Sequence, residues 1–303
     1  LASSAASDVY KRQYQSKGGG KSMTVSQKIK HYLWIFIEYF SLIFFSFVAL
    51  LPVVSCVITA FKTETEYQNT NVMTLPESWL NFDNFIQAFN KANMGRAFIN
   101  SFIVLVFVVF GSVMVGSMLA YVLNRFTFPG NGLIRSLFLF ATLLPGIAMQ
   151  VATYQLMYQI GFINHLYGYI ILSMGTDVIS IYIFIQFFEN IPTSLDESAY
   201  MDGASYFTIF FKILFPLLKP AIVTVMILKG VGTYNEYYNA SLYLSDPKLK
   251  TIAISLYTFV GPLGSKYNLI CAGVIISLIP ALVVFLIFQK QIYSGLTAGA
   301  VKG

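Results

Sequence analysis

The chain has 303 residues, 56% hydrophobic and only 11% charged, against about 25% charged in an ordinary soluble domain. Its length therefore divides into membrane spans rather than globular domains. The net charge of +6 comes from basic residues set beside apolar runs, a pattern that fixes orientation in a bilayer rather than binding nucleic acid, and Cys56 and Cys271, both inside apolar runs, give no disulfide framework.

Residues 1–22 are rich in Ser, Ala and Gly, and Met23 begins a stretch that reads like a natural start. We expect 1–22 to be a disordered tail or an expression or translation remnant, with one membrane domain over 23–303. Gly18-Gly19-Gly20-Lys21-Ser22 superficially resembles a phosphate loop, but position 15 is Gln where that loop needs Gly, and no strand precedes it. The chain is not expected to bind ATP itself.

A span needs roughly 20 apolar residues. Segments 33–61, 97–123, 133–160, 168–188, 218–240 and 267–289 qualify, so the expected fold is an all-α membrane protein of six transmembrane helices. The first segment reaches roughly 43 Å at the helical rise and must tilt or project. Pro52, Pro145 with Gly146, and Pro280 interrupt spans, as packing kinks or as shapers of a pathway.

Basic residues set the orientation. Lys28 and Lys30 precede span one, and Arg125, Arg135, Lys212, Lys219, Lys290 and Lys302 fall on the same side. Both termini are then cytoplasmic, loops 62–96 and 241–266 external, and loop 189–217 internal. Glu38 and Lys229 sit near span ends and are read as snorkelling.

The internal loop is the most informative stretch. Ser194-Leu195-Asp196-Glu197 has the form of a capping box, starting a short helix at Leu195. Gly203 supplies a left-handed stop, Ser205 caps a second helix ending near Pro216, and small Ala199 and Ala204 permit close approach by a partner. The product is a helix–Gly–helix elbow, with Asp196, Glu197 and Asp202 available to basic or backbone donors.

Glu197-Ser198-Ala199-Tyr200-Met201-Asp202-Gly203-Ala204, with Phe210, Pro216 and Pro220 downstream, resembles the "EAA" loop of ABC importer permeases. Ser198 stands where the family has its central Ala. The resemblance runs over most of 30–303 and is to the MalG-like branch of sugar permeases, through Asn100-Ser101, Ala120-Tyr121, Arg125-Phe126-Thr127-Phe128-Pro129-Gly130, Leu144-Pro145-Gly146, and Tyr234-Asn235-Glu236-Tyr237, where the branch usually has Trp first. It implies a type I ABC importer permease fold, with Glu197, Ser198, Ala199, Asp202, Gly203 and Ala204 docking on an ATPase. It also implies a C-terminal tail (Gly295, Gly299, Lys302) reaching that ATPase. By composition this tail is too rich in small residues to fold alone. The implied partners are a second permease in a heterodimer, an ATPase subunit pair carrying ATP and Mg, an extracellular solute-binding protein and its sugar. On this resemblance the chain itself is expected to carry no cofactor or metal, not to be an enzyme, and to reside as a multi-pass protein in a prokaryotic cell membrane with both termini cytoplasmic.

Within the spans, Asn235, Tyr238, Asn239 and Leu242 share one face by helical spacing, beside Glu236. This face suits a sugar route or interhelical hydrogen bonds. Gln150, Tyr154 and Tyr158 are similar candidates. A single-chain secondary transporter or channel is the alternative, but no internal repeat and few intramembrane acids are visible. A membrane enzyme is a third reading, and His31 and His165, expected on opposite sides, form no cluster for it.

Overall fold

A computed structural model describes residues 25–175, 177–261 and 264–300. The expected tail over 1–22 lies outside them. The chain divides into two units, Leu1–Cys56 and Val57–Gly303, described separately.

Helix α1 (Val25–Phe61) carries the chain from the first unit into the second. In the first unit Phe36, Phe40 and Phe44, four residues apart, stack in series with ring centroids 6.0 and 6.2 Å apart. These rings are exposed, as apolar surface facing hydrocarbon must be. At Pro52, which interrupts the backbone ladder, the Ser55 hydroxyl donates to the Pro52 carbonyl at 3.2 Å.

The second unit continues with α2 (Glu64–Asn69), α3 (Asp83–Lys91), α4 (Met94–Arg125), α5 (Asn131–Leu143), α6 (Gly146–Gln159), α7 (Leu166–Gly175) and α8 (Val178–Phe188). Then follow α9 (Ser194–Met201), α10 (Tyr206–Leu217), α11 (Lys219–Asn235), α12 (Tyr238–Tyr243), α13 (Ile252–Leu256), a two-residue hairpin and α14 (Tyr267–Ala300). Helix α4 is the spine. Its Ala97, Val104, Val108, Val113 and Ala120 contribute to three successive buried clusters along the unit. Small residues let neighbours close on it: a Cβ at Gly116 would lie 3.3 Å from Phe184, and one at Gly111 would lie 2.3 Å from the Met174 sulfur. Without a hydrophobic drive between helices in lipid, such close backbone approach is what association rests on.

Three helices are long and apolar enough to cross a membrane unbroken, His31–Phe61, Met94–Arg125 and Tyr267–Lys290, and three bent pairs bring the number to six. The six-span expectation fits, but several spans are not the straight rods that hydropathy suggests. Span three breaks by 106° between α5 and α6, where Pro145 cannot continue the ladder. Span four bends by 43° between α7 and α8. Span five ends at Asn235 rather than 240, because Glu236 turns extended (φ −69°, ψ 110°) before α12 restarts. The C-terminal expectation also changes: α14 runs helical through Gly295 and Gly299 to Ala300, since a helix already nucleated inside the membrane propagates cheaply. Lys302 lies outside the described residues.

The two ends of α4 differ. At its N-terminal end Asn100 donates to the carbonyls of Lys248 and Lys250 at 2.9 and 3.0 Å, joining loop 244–266 to α4. Lys62 is 1% exposed there and donates to Thr70 Oγ1 and the Asn71 carbonyl at 2.9 and 2.7 Å. A capping box forms at this end, Thr63 with Glu66. Backbone N–H groups of Thr63 and Glu77 on the Glu66 carboxylate hold it below its ordinary pKa. At the C-terminal end of α4 sit the 126–130 turn and α9–α10.

Candidate functional site: the elbow and a polar cluster

Helix α9 begins at Ser194, one residue before the expected start, and the capping box is not made. Thr193 is the N-cap, with helical backbone and no side-chain bond, and the Glu197 N–H donates to the Thr193 carbonyl at 3.1 Å. Thr193 already has helical backbone angles, so Ser194 lies inside the first turn, where its hydroxyl cannot cap. Glu197 and Ser198 are exposed.

The stop at Gly203 forms as expected. Its φ is +80°, a region open to glycine without steric cost. The Gly203 N–H reaches the Tyr200 carbonyl at 2.9 Å and the Ala204 N–H reaches the Ala199 carbonyl at 3.0 Å, the paired closure of a Schellman turn. Asp202 is the exposed C-cap. Ser205 then caps α10, accepting from the Thr208 N–H at 3.3 Å. Residues Ile209–Leu214 are wound as a π-helix, and the chain bends by 75° at Leu218 into α11, where Pro220 occupies the first turn that tolerates it.

The small residues serve a different end than expected. Ala199 is buried against the chain's own core, with Ala204 packed beside it, so neither is a smooth patch for a partner. Beside the exposed Glu197, Ser198 and Asp202 the elbow presents apolar side chains: Met201 is 85% exposed and Phe207 70%, and Tyr200 stacks on Tyr206 at 5.7 Å. Sequence reasoning missed these side chains, although their position flanking Gly203 was readable.

It also missed what fixes the elbow to the spans. Arg125, read as an orientation charge, donates to the Ile191 carbonyl at 2.8 Å and places Nε 3.1 Å from Asp196 Oδ2. Burial pushes the Asp196 carboxyl up from its ordinary pKa, and the guanidinium opposes that shift. Lys229, expected to snorkel, instead lies 3.5 Å from Asp177 and donates to the Ser173 carbonyl at 2.9 Å.

At the other end, Gln150 Nε2 donates to Asn239 Oδ1 at 3.2 Å, and Tyr154 stacks on Tyr243 at 6.1 Å. The expected shared face of Asn235, Tyr238 and Asn239 is broken by the turn at Glu236, whose Oε1 accepts from the Asn239 N–H at 2.9 Å and caps α12. Asn235 therefore sits apart, donating to the Val231 carbonyl and lining a cavity of about 200 Å³ with Tyr234, Tyr237, Tyr257 and Ser277. Tyr234, at the position where the resembled branch has Trp, donates to the Ser277 carbonyl at 2.6 Å, one turn before Pro280.

A bent-span bundle with a Schellman-closed elbow is matched by a single family model over residues 32–297, that of the binding-protein-dependent transport system inner membrane component. The chain belongs to this family. The permease is 30% identical over 255 residues to the melibiose/raffinose/stachyose import permease protein MelC of Bacillus subtilis, covering 84% of this chain and 91% of the relative. It is 29% identical over 262 residues to the arabinooligosaccharides transport system permease protein AraQ of Halalkalibacterium halodurans, covering 86% and 94%. Its fold matches a chain of a crystal structure of a bacterial ABC transporter involved in the import of the acidic polysaccharide alginate, with a TM-score of 0.76 at 21% identity over 88% of the permease and 98% of that chain. Membership makes the permease the membrane component of a transport system that works with a solute-binding protein.

Proposed function

We propose that the permease forms half of the pathway of an ATP-driven importer for an oligosaccharide, beside a second, related permease. An ATPase pair docks on the elbow at 189–217. Both termini and the elbow face the cytoplasm, and the ends of α2, α3 and α13 face outward, toward an extracellular binding protein. The observation that carries this reading is the elbow: a left-handed glycine closes α9 onto α10 and leaves the large apolar side chains Met201 and Phe207 exposed, which suits a surface that a partner covers. The oligosaccharide class is supported by the substrates named for MelC and AraQ. Gln150, Asn239, Tyr154, Tyr238, Asn235 and Glu236 are the polar and aromatic groups offered to it. Contacts of the C-terminal stretch with the ATPase, at Gly295, Gly299 and Lys302, belong to the same proposal.

Uptake of arabino-oligosaccharides, melibiose and raffinose by proteoliposomes holding the complete assembly tests it. Uptake that requires internal ATP and the binding protein is expected. ATP-independent uptake by the isolated chain at a matching rate would replace the reading with a single-chain carrier. Orientation is tested in cells with both native cysteines replaced by serine. An impermeant maleimide should label Met73→Cys and leave Met201→Cys untouched, and the reverse pattern would invert the topology.

A further inference from the structure

Lys229 holds both sides of the break in span four. From α11 its ammonium donates to the Ser173 carbonyl, in the last turn of α7, at 2.9 Å, and lies 3.5 Å from Asp177. Asp177 in turn caps α8, accepting from the N–H of Ser180 at 3.5 Å and from its hydroxyl. The Ser173 carbonyl is among those that the end of α7 leaves without helical partners. One cation thus fastens the end of one half-span, the start of the next, and a third helix. The side chains are 21% and 11% exposed.

Stability does not account for this arrangement. Charges within spans are costly, and a paired carboxylate and ammonium in an apolar setting roughly break even against hydrophobic residues of the same size. What the pair provides is placement. Helix α11 follows α10 across the 75° bend at Leu218, and α10 starts three residues after Gly203. The Leu218 N–H reaches the Leu214 carbonyl at 3.1 Å and the Ile222 N–H reaches the Leu218 carbonyl at 2.9 Å, so a displacement of the elbow is passed to Lys229 across a hydrogen-bonded bend.

We propose that Lys229 and Asp177 form a clasp that makes the break in span four move with α11, so that they are positioning residues for the transport cycle. This rests on the reading that the elbow receives the ATPase's motion.

The test uses the complete assembly in membranes, with native cysteines replaced and a reporter Tyr167→Cys on α7. Tyr167 is 50% exposed. The rate of labelling by an impermeant maleimide is compared with and without ATP plus vanadate. With the pair intact, nucleotide trapping is expected to change the rate at least fivefold. Lys229→Met and Asp177→Asn should each reduce that change below twofold while ATP hydrolysis stays within twofold, and Lys229→Arg, which keeps both bonds, should restore it. If a single variant does not accumulate, Asp177→Asn with Lys229→Met, which leaves no charge in the span, carries the test. Variants that melt earlier yet respond as fully as the intact pair would reduce the clasp to packing and overturn the proposal. An intact assembly with no nucleotide response would overturn the elbow reading and the clasp with it.

Discussion

Arg125, in the last turn of α4, holds Asp196 of α9 at 3.1 Å, both side chains largely removed from solvent. The same guanidinium donates to the carbonyls of Phe188 and Ile191 that lead out of α8. One side chain therefore joins the central spine, the end of span four and the first helix of the elbow. Neither buried carboxylate oxygen of Asp196 has a well-aligned hydrogen bond among the described residues, so the attraction to Arg125 is what offsets its desolvation.

Removing that cation should free the elbow. Arg125→Leu leaves a buried carboxylate uncompensated, a loss of about 3–5 kcal/mol for such a pair. Hydrogen exchange over 194–204 should quicken well beyond that of Asp196→Asn, in which Arg125 keeps its carbonyls. Arg125→Leu with Asp196→Leu should recover most of the protection. Equal exchange in the two single variants would show that the charge plays no part.

The same pair gives a pH dependence with a definite sign. Burial raises the Asp196 pKa in the folded elbow, and Arg125 counters it. In Arg125→Leu the folded pKa rises further above the unfolded value, so the folded form binds the extra proton. Stability is then greatest below the unfolded pKa and falls as pH rises through the folded one. Exchange protection of the variant's elbow should decline from acid toward neutral pH, more steeply than in the unmutated chain. A flat profile would place Asp196 in water.

Gly203→Val should insert at normal abundance. No atom lies within 4 Å of the added Cβ, but the left-handed backbone costs a branched residue roughly 1–2 kcal/mol, and the closure re-aims Met201 and Phe207. Retention of the ATPase on co-purification should fall severalfold, and Gly203→Asn should fall less. Glu197→Ala, with no capping box to lose, should leave stability within about 0.5 kcal/mol. Any loss of ATPase retention by that variant reports direct contact. Normal retention in Gly203→Val would make the elbow an ordinary loop.

At the N-terminal end of α4, Asn84 donates to the carbonyls of Ala60 and Lys62 and accepts from Asn268. Asn84→Ala strands three buried groups, each costing about 1–3 kcal/mol when unsatisfied. The melting temperature in detergent should drop by several degrees, while Gln87→Ala, on the exposed side of α3, should not change it.

Along the polar cluster at α6 and α12, Gln150→Ala and Asn239→Ala should slow uptake without additivity, because they delete the same 3.2 Å bond. Asn235→Ala, separated by the turn at Glu236, should add independently. Full additivity of the first two would dissolve the cluster.

Apolar length and charge spacing alone determined six spans, the position of the elbow, the left-handed stop at Gly203 and the cap at Ser205, because these depend on local backbone preferences and on a solvent that tolerates no unpaired polar group. The same local logic misplaced the start of α9, where Thr193 already turns helically. It carried span five past Glu236, because hydropathy is blind to a single extended residue. Only the tertiary structure decided which charges meet. Arg125 and Asp196, and Lys229 and Asp177, come together through packing between helices far apart in sequence. A charge next to an apolar run looks the same on the page whether it faces water or a buried partner, and the choice is made by which neighbouring helix closes over it.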